Sequence, residues 1–538
     1  MKLKNIRYII PAAALSLSLG LSSCVGDLDV TPIDPSTVMT PKAEELFNKC
    51  YANMAVAGNG GANGDCDIDG LDGGTTGFLR QLINSNVLTT EEAICGWGDE
   101  GVPAFNFNQW GASHPMLQGF YYRLYAGVTY CNHYLEVCGD YDATMTAEIR
   151  FLRALYYYYL TDNFGNIGFL DKISSEKAPQ RSRAEMYAWI ESELLDCVNS
   201  MMEPAVRKDT DAGYGRADKS AAYLLLSRLY LNAEVYTGTP QWEKAAQYAK
   251  MVMDGPHKLF TGGTGKCSSY QMLFMGDNGS NGASVEAILP LLQDGIKTTS
   301  WGTSLFLIAS TFDEDMLNSQ MLHGLGNGTS EKWNGLRARK EFIKKFFPND
   351  DIPLSTTEDI LAAANNDRAL FYGVNHTLSA DDASDFKKGI AIVKFTNYYS
   401  NGGNRHNNQF PDMDFFLMRS AEAYLTYAEA TARAAGSNTT TPEGTEAINA
   451  IRSRAHAATR SGYSLNDILD ERSRELYYEG YRRTDLIRYK RFGGNSDYRW
   501  EWKGGAQAGT NFGEHMNVFA IPINDLTANS NLKQNPGY

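Results

Sequence analysis

Beyond its first two dozen residues the chain has no apolar run long enough to span a bilayer, so its body reads as a soluble mass. Positive charge is scarce too: 49 Lys and Arg stand against 63 Asp and Glu, a formal net charge of -14. That balance argues against nucleic acid and against docking on anionic lipid, and says little about a neutral ligand. The eight cysteines form no C-x-x-C pair and no zinc spacing. Cys131 and Cys138 lie on one predicted helix, too far apart along it for a disulfide, so the cysteines read as small buried hydrophobes. No G-x-S-x-G elbow and no H-E-x-x-H helix occurs. Gly262 to Lys266 resembles a phosphate loop but has the wrong spacing. A glycosidase carboxylate pair leaves no spacing signal, and with 63 acidic residues its possibility carries no weight. No enzyme is expected.

What is present begins with a leader. Lys2, Lys4 and Arg7 precede a short apolar stretch that ends at Leu21-Ser22-Ser23-Cys24, the pattern of a lipoprotein signal. Cleavage before Cys24 and lipidation of its thiol make residues 1–23 a signal peptide and residues 24–40 a linker, with Asp27 and Asp29 close behind the anchor. Length alone would allow two to four domains in the rest. Aromatics make up 12%, with 31 Tyr and 8 Trp, while charged residues are only 21%. Such a surface suits flat ligands with apolar faces and polar rims, as sugars are, although many of these rings must serve a core.

Helical periodicity is strongest over 217–236, where Ala222, Leu226, Leu229 and Ala233 share a face and Tyr223 to Leu225 broaden it. Pairs are expected at 114–139 with 145–164, at 217–236 with the helix carrying Trp242, and at 414–435 with 441–457. Small alanines and aromatics in these pairs match tetratricopeptide units. Thr40-Pro41, Thr239-Pro240 and Thr441-Pro442 each offer a capping threonine followed by proline at the first helical position. A further helix over 465–479 stops at Gly480, and Val518 to Pro522 is a short strand or extended segment. Residues 49–112 and 260–410 are loop-rich, and binding sites favour such loops. Asp65 to Gly70 matches half of a calcium loop, but Thr76 stands at the twelfth position, so a plain acidic turn is favoured.

Several strings together resemble the SusD/RagB family of surface glycan-binding lipoproteins. They are Gly70 to Gly74 running to Phe78-Leu79-Arg80, Glu148 to Leu155 followed by Asp162-Asn163-Phe164-Gly165, and Gly215 to Lys219. Others are Ile288-Leu289-Pro290 with Gln293-Asp294-Gly295, Arg419 to Leu425, Arg474-Glu475-Leu476 to Leu486, and Gln534 to Tyr538. The likeness spans the chain after its leader and is nearest to starch-binding members. It implies a mainly α fold over 41–538, a single domain of four tetratricopeptide-like helix pairs with a loop-rich ligand-binding face. It also implies a glycan ligand, a TonB-dependent SusC-like barrel as partner, and a surface-exposed, lipid-anchored place on the outer membrane. The implied site is Trp97 and Trp301 as sugar platforms, with Arg80, Asp72 and Glu100 as polar partners. In starch-binding members the position of Cys95 would be a second Trp, that of Trp301 a Tyr and that of Glu100 an Asn. Losing a platform and gaining a carboxylate puts starch itself in doubt, leaving another glycan such as a fructan or host glycan, or a peptide, as alternatives. The resemblance further implies a structural Ca²⁺ held by Gln293, Asp412 and Asp414, with Asp277 or Asn278 completing the set. The two aspartates before Phe415 would equally serve as helix N-caps.

Overall fold

The computed structural model describes residues 42–64, 66–319 and 326–538, so the leader, Cys24, the linker, Thr40-Pro41 and Asp65 lie outside the described residues. Ten helices carry the scaffold: α1 (Ala43–Ala55), α2 (Phe78–Asn86), α3 (Pro115–Cys138), α4 (Ala143–Phe164), α5 (Arg183–Cys197), α6 (Lys219–Leu231), α7 (Trp242–Asp254), α8 (Ser420–Ala434), α9 (Pro442–Arg454) and α10 (Leu465–Leu476). Their starts follow from local chemistry. Asp142 accepts from the Met145 N–H, Ser182 and Glu185 close a reciprocal box, and Thr441 accepts from the Gly444 N–H with Pro442 at the first helical position. The expected pairs α3–α4, α6–α7 and α8–α9 form, and α5 flanks α4. Within α3–α4 the helices pack closely at Gly127, where an added Cβ would lie 2.3 Å from the Tyr156 ring. Residues 43–538 form one compact unit. Among the described residues no helix is long and apolar enough to cross a membrane, and all seven described cysteines are free thiols, six of them buried.

Five details differ from the sequence reading. The predicted 217–236 helix is broken once, at Asn232, whose amide caps the Arg228 carbonyl while its Oδ1 accepts from Arg488; α6 ends at Leu231 and a short helix, Ala233–Thr237, follows. Thr239 does not cap α7. Its N–H is taken by Thr237, and the helix starts at Trp242 behind Gln241, so Pro240 precedes it. The segment before α8 is a strand, β4 (Phe415–Arg419), paired antiparallel with β2 (Ala287–Leu291). A continuous apolar run has no period with which to distinguish strand from buried helix, and Asp412 and Asp414 therefore cap no helix. Helix α10 ends at Leu476. Gly480 lies beyond it at φ 87°, and an added Cβ there would meet Leu82 of α2 at 2.9 Å. Within 49–112, α2 was hidden because it is buried on almost every side, its polar Gln81, Asn84, Ser85 and Asn86 included. Val518 to Pro522 is extended without pairing as a strand, its Phe519 N–H donated to the Asn163 carbonyl.

Charges sit in the centre as well as at the surface. Arg419, at the end of β4, is fully buried and contacts Glu286 at 2.7 Å, Glu475 at 2.7 Å and Glu479 at 2.7 Å. Arg454 reaches Glu286 at 2.8 Å and also Glu475, and Arg368 reaches Glu471 at 2.8 Å and Glu475 at 3.2 Å. Burial alone would raise the Glu475 carboxyl, but Arg454, Arg419 and Arg368 hold it well below the ordinary carboxylate range. This lattice ties the β2–β4 ladder to α9 and α10. Asp67, from the half calcium loop, is likewise an ion-pair partner, 2.8 Å from buried Arg123.

Candidate functional site

Helix α2 starts where two loops touch through bare backbone. The Arg80 N–H donates to the Gly302 carbonyl at 3.0 Å, and a Cβ on Gly302 would lie 2.3 Å from the Gly74 carbonyl oxygen. Only glycine lets these strands of chain meet, and the contact sets Trp301 beside Arg80. A second junction is the ladder of β1 (Ile94–Cys95) with β3 (Leu336–Arg337), continued by the Gly96 N–H to the Gly335 carbonyl at 3.0 Å. It brings the Trp97 loop against the Trp333 loop, and a Cβ on Gly335 would lie 2.3 Å from the Trp97 ring.

The result is an open cleft of about 310 Å³ lined by Asp72, Gly74, Arg80, Trp97, Asp99, Trp301 and Trp333. Its three indoles run in sequence. Trp333 lies 6.3 Å from Trp97 and 6.2 Å from Trp301, centroid to centroid, with planes tilted by 57° and 44°. Each ring is pinned by its N–H. Trp97 donates to the Trp333 carbonyl at 2.8 Å, Trp301 to the Ala62 carbonyl at 3.0 Å and Trp333 to Glu331 at 2.9 Å. Phe306 backs Trp97 at 6.0 Å, and Phe410 backs Trp301 at 5.0 Å. All three indoles are half-buried, so each is held by packing and still meets the cleft.

Arg80 supplies the polar group. Its guanidinium rests over Trp97 and Phe306, 5.4 Å from each centroid, and its buried Nε has no hydrogen-bond partner. No ion pair joins it to Asp72 or any other described carboxylate. Asp72 instead accepts from the Thr75 N–H at 2.9 Å and the Thr75 hydroxyl at 2.6 Å. Burial draws the Arg80 pKa down, opposed by the charges of Asp72 and Asp99. For Asp72, burial raises the carboxyl, but the Thr75 donors and Arg80 prevail and set it below its ordinary value. A donor set with unmet capacity, wrapped in rings, is what a hydroxyl-rich ligand requires.

Four of the five expected ligand residues therefore converge. Glu100 is exposed and lies outside the lining, its place taken by Asp99. Cys95 is buried in β1, where burial pushes its thiol up to about 12, and it offers no platform. Trp333 supplies the third ring and escaped the sequence reading. Its signal was there in Trp333-Asn334-Gly335, an indole close to a glycine like Gly96-Trp97-Gly98 and Ser300-Trp301-Gly302.

The expected calcium residues lie beneath the Trp301 loop and are all buried. Asp414 accepts from Tyr214 at 2.7 Å and from the Gln293 backbone N–H at 2.8 Å. Asp412 meets Tyr399 at 3.0 Å and His406 at 2.9 Å, and Asp277 meets Ser400 at 2.7 Å. Asn278 is committed on both sides to the Asp414 backbone. The Gln293 amide is turned to Thr303 and the Leu292 carbonyl. Among the described residues no three His, Cys, Asp or Glu side chains form a ready ligand set. The donor chemistry nonetheless suits a hard cation. Burial, Asp209 and Asp412 raise the Asp414 carboxyl to about 7, and no Lys or Arg among the described residues pairs with Asp209, Asp277 or Asp414.

Comparison with known proteins agrees across the chain. The family described as the SusD family matches residues 327–538, and one described as starch-binding and associating with the outer membrane matches residues 80–231. The starch-binding protein SusD of Bacteroides thetaiotaomicron is 37% identical, with all of both chains covered. SusD-like protein P2 of Formosa agariphila is 24% identical, again over both whole chains. Among solved structures, a SusD superfamily protein of Parabacteroides distasonis superposes with a TM-score of 0.66 at 21% identity, covering 92% of this chain and 98% of the other. Surface glycan-binding protein A of Bacteroides thetaiotaomicron, solved with laminarihexaose, superposes with a TM-score of 0.63 at 17% identity, covering 92% and 98%.

Proposed function

Because the chain belongs to the SusD family, we propose that its indole cleft binds a neutral glycan at the cell surface, starch or a related oligosaccharide, and passes it to a TonB-dependent SusC-like transporter. The chain is a binding protein and not an enzyme, as its relatives are named for binding. The observation that carries the glycan reading is the run of three tilted indoles with an unpaired guanidinium among them. Successive sugar rings can lay their C–H faces on successive indoles, while Arg80 donates to ring hydroxyls. A peptide would call for a deep, charged cavity, and this cleft is shallow and ring-lined. Retention of the protein in gels cast with amylopectin, fructan and host-type glycans tests the reading. One glycan is expected to retard it, with no oligosaccharide released on long incubation. Retardation by none, or released product, would end the proposal.

The anchor on Cys24 and the hand-off rest on the leader motif and on the resemblance. A tagged chain recovered from outer membranes should bring down a TonB-dependent barrel, and a Cys24→Ala chain should leave the membrane fraction.

The structural Ca²⁺ is a separate proposal, supported by the unbalanced carboxylates of Asp209, Asp277 and Asp414 beside Asp412. An ion there would fasten the Gln293 to Thr303 segment, which carries Trp301, to the chain around Asp412. At calcium a hundredfold above Kd the native state would gain about 2.7 kcal/mol. Chelation is expected to lower Tm in the wild type and to leave Asp414→Asn unchanged. An equal Tm with and without chelator in the wild type would dismiss the ion.

A further inference from the structure

A second pocket, of about 290 Å³, opens between α3, α4 and the helix Ile523–Ala528, and shares no lining residue with the indole cleft. Tyr121, Tyr125 and Tyr157 form one wall. The Tyr125 hydroxyl donates to the Gly168 carbonyl at 2.6 Å and the Tyr157 hydroxyl to the Leu170 carbonyl at 2.6 Å. With those hydroxyls committed to the main chain, the rings contribute carbon surface to the wall. Asp525 also lines the pocket, its carboxyl beside the Tyr122 hydroxyl and its Oδ2 buried without a close hydrogen-bond partner. Thr129 and Lys172 line the exposed mouth, and neither side chain has a hydrogen bond or ion pair with a described residue.

From this arrangement we propose that the protein has a second saccharide site, sized for one or two sugar rings, that works independently of the indole cleft. A buried acceptor left unmet costs free energy until a donor arrives. The free Oδ2 can accept a sugar hydroxyl, and the opposite C–H face then lies on tyrosine carbon. Lys172 and Thr129 add donors for the outer hydroxyls. An organic cation would also satisfy Asp525 and the rings, but Lys172 at the mouth repels it. The volume is near the lower end of small-molecule pockets, about 300 Å³, which fits a short saccharide or a chain end and not a polymer middle.

The test uses the protein with its indole cleft silenced by Trp97→Ala and Trp333→Ala, and saturation-transfer NMR with glucose, galactose and maltose. One of these sugars is expected to keep its signal in that background. Asp525→Asn should weaken it about tenfold, and so should Thr129→Trp, which blocks the mouth from an exposed position and spares the fold. The same two changes, placed in the wild type, should leave polysaccharide retardation by the cleft intact, so failure here and failure of the cleft reading are told apart. No signal in the silenced protein, a signal indifferent to both pocket changes, or displacement by tetramethylammonium would each overturn the second site.

Discussion

Trp333→Ala is expected to weaken oligosaccharide binding by about one to two orders of magnitude, the usual cost of removing a central indole from a desolvated contact. Trp333 is the middle ring, in contact with both Trp97 and Trp301. Its loss separates the outer two and leaves no continuous surface for consecutive sugars. The substitution is also clean. The Trp97 N–H is held by the Trp333 backbone carbonyl, which alanine keeps, and the freed Glu331 retains Gln409 at 2.8 Å. Stability should change little. Trp97→Ala should weaken binding comparably, and Arg80→Met by less, because it removes donors and keeps carbon against the rings. Calorimetry with the glycan chosen by gel retardation measures all three. If Trp333→Ala and Trp97→Ala both bind as the wild type does, the cleft is not the glycan site.

Arg419→Met is expected to cost about 3–5 kcal/mol of stability, because it removes one full charge from a buried network and leaves its carboxylates in excess. Glu286, Glu475 and Glu479 all face this one guanidinium with none of it exposed. Lys394 stays on Glu479 and Arg454 on Glu286 and Glu475, but Arg454 must then serve two carboxylates and Arg368 already serves Glu471, so one negative charge is left over. The readout is the urea midpoint, and glycan affinity in the surviving folded fraction should be normal. Adding Glu479→Gln should restore part of the loss, since the two residues share one network. Additive losses would show that the two do not interact as drawn.

The residues that made the chain recognisable and the residues that form its cleft are largely different sets. Arg419, Glu475 and Glu479 stood in the family-like strings, yet in the structure they form a buried charge lattice. Their contribution is to the fold, and nothing in their spacing reveals that they meet. Helices α3, α4 and α6 were legible because each repeats its apolar residues at helical period. Helix α2 was not, because it is short and buries polar Gln81, Asn84, Ser85 and Asn86 where apolar residues would mark a period, and β4 was not, because its short apolar run has no period at all. In the site, Trp97, Trp301, Arg80 and Asp72 came from resemblance. Trp333 was missed because its one local mark, a nearby glycine, says nothing of its neighbours, and only the pairing of β1 with β3 places it beside Trp97.

The glycine junctions beneath the rings divide the cleft into a part that heredity can alter and a part that it cannot. Any side chain at position 302 or 335 would collide with backbone or with an indole, whereas Gly98 faces open space and Asp99 and Glu100 are exposed. A randomised library over positions 98–100 should therefore yield mostly folded clones with shifted sugar preference, while one over 302 and 335 should yield few survivors. Descendants of such a gene can change diet by editing the lip of the cleft and keep the same three rings.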